Sequence, residues 1–339
     1  MLVGVIGCGW AGNVHIENFN RVQGTQVIAV ADPDENAAKQ LAEKFGIGKV
    51  YGGWKELVEL DALDVVSVCS PPSTHEEIVE EAAKRGKHIL VEKPMAMTEK
   101  ECKNMIKAAN KNKVVLSICQ NKRLNQGVQE ARTAIEQAGS PARLVRAMHY
   151  AAPRNPTHWT TTVKEGGMLW EEGAHQAYIM LELMGDVERV RALGKKLVFP
   201  DYDSITVEVE AKNKSSLGVM EMLWCDPPGE FRDAVEVVMP NGVLRSIDLS
   251  YMPEFSFNLH ANKIRDSVKE LGRIISKKVR RRQQNTRPFQ SYHFELIEGF
   301  MKSIDDGTTP PIPSSEGLKT IKILEAIRKS LDKDKTVDV

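Results

Sequence analysis

Gly7-Cys8-Gly9-Trp10-Ala11-Gly12 is the stretch whose reading decides the fold. The apolar run Val3 to Ile6 precedes it, and Trp10 to Val22 carries a helical pattern after it. The spacing therefore predicts three glycines at a strand-to-helix turn. Gly7 permits the tight turn, Gly9 lets a pyrophosphate approach the backbone, and Gly12 permits close packing of helix on strand. The helix start presents free N–H groups and a positive dipole end to phosphate. Asp32 stands twenty residues past Gly12 and ends a second apolar run, Val27-Ile28-Ala29-Val30-Ala31. A carboxylate there can accept hydrogen bonds from an adenine ribose. The bland alternative is a glycine turn with no ligand. Strand, helix and acid all falling in place favour a dinucleotide, with Gly7, Gly9, Trp10, Ala11, Gly12 and Asp32 as its contacts.

The bulk properties of the chain agree with a soluble globular protein. Its 339 residues suffice for two cores, and its 46 basic and 46 acidic side chains cancel, which gives no overall reason to expect nucleic acid. No apolar segment approaches membrane-spanning length. The start of the chain lacks the charged, apolar and small-residue pattern of a secretory signal, so a cytoplasmic location is expected. Cys8, Cys69, Cys102, Cys119 and Cys225 are scattered without metal-ligand spacing. They read as small reduced core residues, and no metal is expected.

Strand and helix patterns alternate over residues 1–120: strands at 2–6, 26–31, 64–69, 88–91 and 114–119, helices at 10–22, 34–45, 74–86 and 98–112. Nearly all-apolar strands imply a parallel sheet covered on both faces. From about residue 142 the pattern changes to one helix, 171–184, and strands near 187–199, 204–212, 216–224, 233–239 and 242–249. Ile205, Val207, Val209 and Ala211 alternate with polar residues, as on a sheet with one buried face. The expected class is α/β: a Rossmann doubly wound parallel sheet over 1–120, then an α+β domain over 121–339 with an open, mostly antiparallel sheet. Helices at 261–282, 290–306 and 315–330 close the chain, the last able to pack back on the first domain. Apolar residues on the outer sheet face suggest self-association to a dimer or tetramer.

Val91-Glu92-Lys93-Pro94, together with the glycine turn, resembles the glucose–fructose oxidoreductase / inositol dehydrogenase (Gfo/Idh/MocA) family. Ser70-Pro71-Pro72-Ser73-Thr74-His75 is similar to its Thr-Pro-Asn-x-x-His loop, with Pro72 where Asn is usual. Gly166-Gly167-Met168-Leu169-Trp170-Glu171-Glu172-Gly173-Ala174-His175 resembles its Gly-Gly-x-x-x-Asp-x-Gly-x-His helix start. The resemblance implies a nicotinamide cofactor contacted also by Ser70, Pro71, His75, Glu92, Lys93, Asn121 and Arg123, with His15 nearby. It implies catalysis by Lys93, His175 and Glu171. Glu171 and His175, four apart on the expected helix, share a face, although Glu171 stands where Asp is usual and Tyr178 where a second Asp is common. Arg154, His158 and Trp159, in a Pro-rich loop, join Lys93, Glu171 and His175 as candidate substrate contacts.

The expected activity is hydride transfer between nicotinamide and a secondary alcohol or ketone of a sugar, sugar nucleotide or cyclitol. The alternatives are redox-assisted glycoside cleavage without net redox change, and a non-catalytic NAD-binding regulator. Asp32, with Asp34 close by and no arginine in the next several residues, favours NAD over NADP. The basic run Lys277-Lys278-Val279-Arg280-Arg281-Arg282 ends an amphipathic segment, 264–282. Docking of that helix on the protein is preferred there to contact with a membrane surface.

Overall fold

The glycine turn lies between β1 (Leu2–Ile6) and α1 (Trp10–Phe19) of a computed structural model that describes residues 1–151, 158–212, 215–224, 232–249 and 290–339. Five further strands and four helices follow: β2 (Gln26–Ala31), α2 (Glu35–Phe45), β3 (Lys49–Tyr51), α3 (Trp54–Val58), β4 (Val65–Val68), α4 (His75–Lys84), β5 (His88–Glu92), α5 (Glu99–Asn112) and β6 (Leu116–Cys119). Local chemistry sets the helix starts. Asp34 accepts from the Asn36 and Ala37 N–H groups at α2, and Thr98 with Glu101 forms a capping box at α5. Every residue of β4 and β6 is buried, so these strands need cover on both faces. The strands pair in parallel in the order β3-β2-β1-β4-β5-β6. The order reverses between β1 and β4, the place where sheets of this kind bind ligands beyond the carboxyl ends of their strands. The short elements β3 and α3 escape the pattern reading because three and five residues carry too little periodicity.

The second sheet is built from α6 (Gln126–Ala138), β7 (Leu144–Tyr150), α7 (Gly167–Glu171), α8 (Gly173–Met184), β8 (Val187–Lys195), β9 (Ser204–Ala211), β10 (Leu217–Leu223), β11 (Arg232–Val238) and β12 (Leu244–Asp248). After these come α9 (Gln290–Asp306), α10 (Ser314–Lys333) and β13 (Val337–Asp338). The seven strands run β12-β11-β7-β10-β9-β8-β13, antiparallel except for β7 beside β10. β7 and α6 are additions to the sequence reading, and β7 makes the sheet mixed. Val145, Ala147 and His149 of β7 lie on the buried face with Val207, Met222 and Val235. On the other face Leu217 stands opposite Leu144, Leu144 opposite Val238, and Val238 opposite Leu244. Leu217 and Leu244 of that apolar row are about 60% exposed.

One expected element is corrected. The expected helix 171–184 starts two residues later, as α8 from Gly173, and Glu171 instead ends the short α7 before it. The approach to α10 crosses back to the first sheet: the Ser117 hydroxyl donates to Ile312 O at 2.8 Å, and a Cβ on Gly317 would meet Met95 Sδ at 2.8 Å. Among the described residues Cys8, Cys69, Cys102 and Cys119 are free thiols, and no helix is long and apolar enough to cross a membrane. Cys225, the expected helix 261–282 and its basic run lie outside the described residues.

Candidate active site

Backbone geometry shapes the glycine loop. Gly7 has φ 93°, the left-handed region, and a Cβ on Gly12 would stand 2.0 Å from Gly7 O. Only a missing side chain lets α1 approach β1 so closely. Gly9 begins α1 without a side-chain cap, and a Cβ on it would meet nothing within 4 Å. The first N–H groups of α1, from Trp10 and Ala11, thus border open space suited to a pyrophosphate. Asp32 accepts from the Cys8 N–H at 2.6 Å and the Asp34 N–H at 2.8 Å, which fixes its carboxylate at the edge of the loop. Beyond Pro71, Ser70 bonds Thr74 through their hydroxyls at 2.7 Å. His75 is buried between Ser70 O and Met95 O, at 2.8 and 3.1 Å, and burial pushes its imidazole below the ordinary value.

At the end of β5, Glu92 Oε1 meets His15 Nε2 at 2.9 Å, while Ser67 Oγ holds His15 Nδ1 at 2.7 Å. Burial raises the Glu92 carboxyl, but the hydrogen bond and charge of His15, with the charges of His293 and Lys93, outweigh it and hold the carboxyl at about 2. Donor atoms of His15, Glu92 and Cys119 come within 4.8 Å of one another, a spacing a metal could use. Both imidazole nitrogens are already bonded, and burial pushes the Cys119 thiol up to about 12, so the cluster reads as a hydrogen-bonded core.

Lys93 follows directly. Its Nζ donates to Glu171 O at 3.0 Å and lies 3.1 Å from Glu171 Oε2, in a site where each side chain is about 15% exposed. Burial alone would lower the lysine, but Glu171, Glu172 and Glu92 raise it, so the ammonium stays charged.

Gly166 and Gly167, both left-handed at φ 79° and 59°, introduce α7. Arg328 from α10 grips Asp201 with two bonds of 2.6 Å, and its Nη2 also reaches Gly166 O at 3.4 Å. The helix then breaks at Glu172, whose carbonyl accepts the His175 N–H at 3.1 Å and the Gln176 N–H at 3.3 Å. His175 therefore sits in the first turn of α8. Burial first, then the charges of Lys122, Lys93, His149 and His293, push its imidazole well below the ordinary value. A neutral ring can accept a proton.

Other candidates go elsewhere. Arg123 turns to Tyr178 Oη at 3.1 Å, Pro311 O at 3.0 Å and Glu182 at 3.4 Å, so Arg123 and Tyr178 form part of a link between α8 and the segment before α10. Asn121 donates its amide to the His293 ring at 2.9 Å, and the Trp10 ring lies edge-on to His293 with centroids 6.1 Å apart. His158 and Trp159 pack ring on ring at 5.5 Å, and among the described residues no hydrogen bond joins them to Lys93 or His175. Arg154 lies outside the described residues. Sequence reasoning missed Lys122, whose Nζ bonds Asp233 Oδ2 at 2.6 Å, and His149, which bridges Asp233 and Glu172. It also missed Glu165, whose carboxylate accepts from the Ser73 N–H at 3.1 Å and hydroxyl at 2.6 Å. Lys122 lies between two flagged residues. His149 and Asp233, on strands far away in sequence, carried no signal.

A parallel sheet with the strand order of doubly wound folds is thus joined to an open mixed sheet, and Lys93 meets Glu171 where the two parts come together. Residues 1–120 match the Gfo/Idh/MocA family model, described as an oxidoreductase family with an NAD-binding Rossmann fold. It is 26% identical to the myo-inositol 2-dehydrogenase of Thermotoga maritima over 99% of this chain and 98% of that protein. It is also 26% identical to the inositol 2-dehydrogenase/D-chiro-inositol 3-dehydrogenase of Halalkalibacterium halodurans, over 92% and 85%. The fold superposes on Lactobacillus casei scyllo-inositol dehydrogenase with bound NAD(H) and scyllo-inositol, with a TM-score of 0.78, 16% identity, and cover of 100% of this chain and 98% of that one.

Proposed function

We propose that this protein is an NAD-dependent dehydrogenase that interconverts a secondary alcohol and a ketone on a cyclitol or sugar. The carrying observation is Lys93, a charged ammonium at the carboxyl end of β5 held at 3.1 Å by Glu171 from the head of the helix pair that carries His175. The full-length likeness to inositol dehydrogenases supports the substrate class. A bound nicotinamide would supply the hydride acceptor for this oxidation. His175 removes the hydroxyl proton, Lys93 stabilises the developing alkoxide, and Glu171 orients Lys93. Glu92, held by His15, would contact the nicotinamide ribose. Gly7, Gly9, Trp10, Ala11, Gly12, Ser70, Pro71, His75 and Asn121 line the cofactor site in this reading.

NAD is preferred to NADP because a held Asp32 carboxylate accepts from a free ribose hydroxyl and repels a phosphate. The apolar row Leu217, Leu144, Val238 and Leu244 supports association through the outer sheet face. Free thiols at Cys8, Cys69, Cys102 and Cys119 accord with a cytoplasmic location.

The test is absorbance of reduced nicotinamide with NAD or NADP against a panel of inositols, pyranoses and glycosides. The wild type is expected to reduce NAD with at least one free cyclitol or sugar. Lys93→Met and His175→Asn are each expected to lower turnover by roughly 10²-fold or more, with little change in NAD affinity. NAD binding without turnover on any alcohol refutes the reading, and glycoside cleavage without net reduction replaces it with redox-assisted cleavage.

A further inference from the structure

We propose that Lys122, Asp233, His149 and Glu172 are positioning residues for His175, clamping the first turn of its helix and surrounding its ring with fixed charge. The proposal rests on His175 being the base. The four come from separate elements: Lys122 in the turn after β6, His149 at the end of β7, Asp233 opposite it in register on β11, and Glu172 in the break between α7 and α8. None is more than 5% exposed. Lys122 Nζ lies 2.6 Å from Asp233 Oδ2, and His149 stands between Asp233 Oδ1 at 3.9 Å and Glu172 Oε2 at 3.4 Å.

Stability does not explain such a row. Removing four ionisable groups from water is costly, and apolar side chains of similar volume commonly do as well or better. Its position does explain it. Glu172 caps α8, and its carbonyl holds the N–H groups of His175 and Gln176. Whatever fixes the Glu172 carboxylate also fixes the root of the His175 side chain.

The row also supplies charge. The charges that act on His175 come from four elements: Lys93 after β5, Lys122 after β6, His149 on β7 and His293 on α9. Lys122 ranks first among the charges that disfavour protonation of His175. Asp233 stays ionised because Lys122 and His149 overcome its burial. Removing the Lys122 charge should therefore let the ring take a proton more readily.

The experiment follows ring signals of labelled histidine in the full-length protein with NAD across a pH titration, using His175→Asn to assign the His175 signal. The variants are Lys122→Met and the double variant Lys122→Met/Asp233→Asn, which leaves no unpaired buried carboxylate. Lys122→Met is expected to raise the His175 midpoint by about one pH unit, and the double variant to raise it by a smaller, still resolvable amount, because Asp233→Asn also removes an anion. The double variant is expected to regain thermal stability lost in the single one while keeping a raised midpoint. The acid limb of the pH–kcat profile should move in parallel. A folded, NAD-binding double variant with an unmoved His175 midpoint overturns the proposal, because a merely structural role would change melting alone. The titration needs no substrate. An inactive wild type therefore refutes the functional reading, whereas an active enzyme with an unmoved midpoint refutes only this inference.

Discussion

Glu92→Gln tests whether the buried pair under the glycine loop is a net attraction. At 2.9 Å between His15 Nε2 and Glu92 Oε1, an effective dielectric of about 20 gives a gross attraction of about 6 kcal/mol. Burial works against it, since the Glu92 side chain is 12% exposed and His15 is fully enclosed. The balance is a carboxyl held at about 2 instead of 4.5. At about 1.4 kcal/mol per pH unit, that drop corresponds to about 3 kcal/mol of folding stability. The sign follows from the lowered carboxyl. The contribution is complete above about pH 4.5 and disappears as pH falls toward 2. Glu92→Gln should therefore be about 2–3 kcal/mol less stable than wild type at pH 7, and the gap should close in acid. Urea unfolding followed by circular dichroism, repeated down to the lowest pH at which both proteins fold, measures it. Equal stability at pH 7, or a deficit undiminished by pH 3, refutes the reasoning.

Two further perturbations probe other levels of the structure. Gly12→Ala puts a Cβ 2.0 Å from Gly7 O, so α1 or the loop must move by about 1 Å; NAD affinity by calorimetry should fall at least about tenfold with the fold retained, and unchanged affinity would mean the loop does not cradle the cofactor. Leu144→Glu places a charge in the middle of the outer-face apolar row; light scattering should give a smaller assembly than wild type, and an unchanged mass would remove this face as the interface.

Much of the first sheet was legible because its signals are local. The glycine spacing, the apolar runs and Asp32 all lie within the first 32 residues, and each strand or helix of five or more residues carries its own period, α3 alone excepted. The Glu92-Lys93 pair was legible as a strand end on the ligand side of a parallel sheet. Pairings across the chain were not. Lys122 meets Asp233 from 111 residues away, and Ser73 meets Glu165 from 92 residues away. No periodicity connects such positions; only the packing of one sheet on the other does. Arg123 shows the converse: its place in the sequence marks it as a cofactor contact, yet its guanidinium donates to Tyr178 Oη and Pro311 O.

The break at Glu172 decides the electrostatics of the site. On one continuous helix, Glu171 would share a face with His175, and a carboxylate beside the imidazole would raise its pKa. Lys93 would then lose its anion. Ending α7 at Glu171 changes both outcomes. The Glu171 carbonyl accepts from the Lys93 ammonium at 3.0 Å, and its carboxylate lies 3.1 Å from the same nitrogen. His175, rooted on the Glu172 carbonyl instead, is left to burial and to the charges of Lys122, Lys93, His149 and His293. One side of the break thus holds a stable cation and the other a neutral acceptor. Those are the two charge states that oxidation of an alcohol requires, one to stabilise the oxygen and one to take its proton.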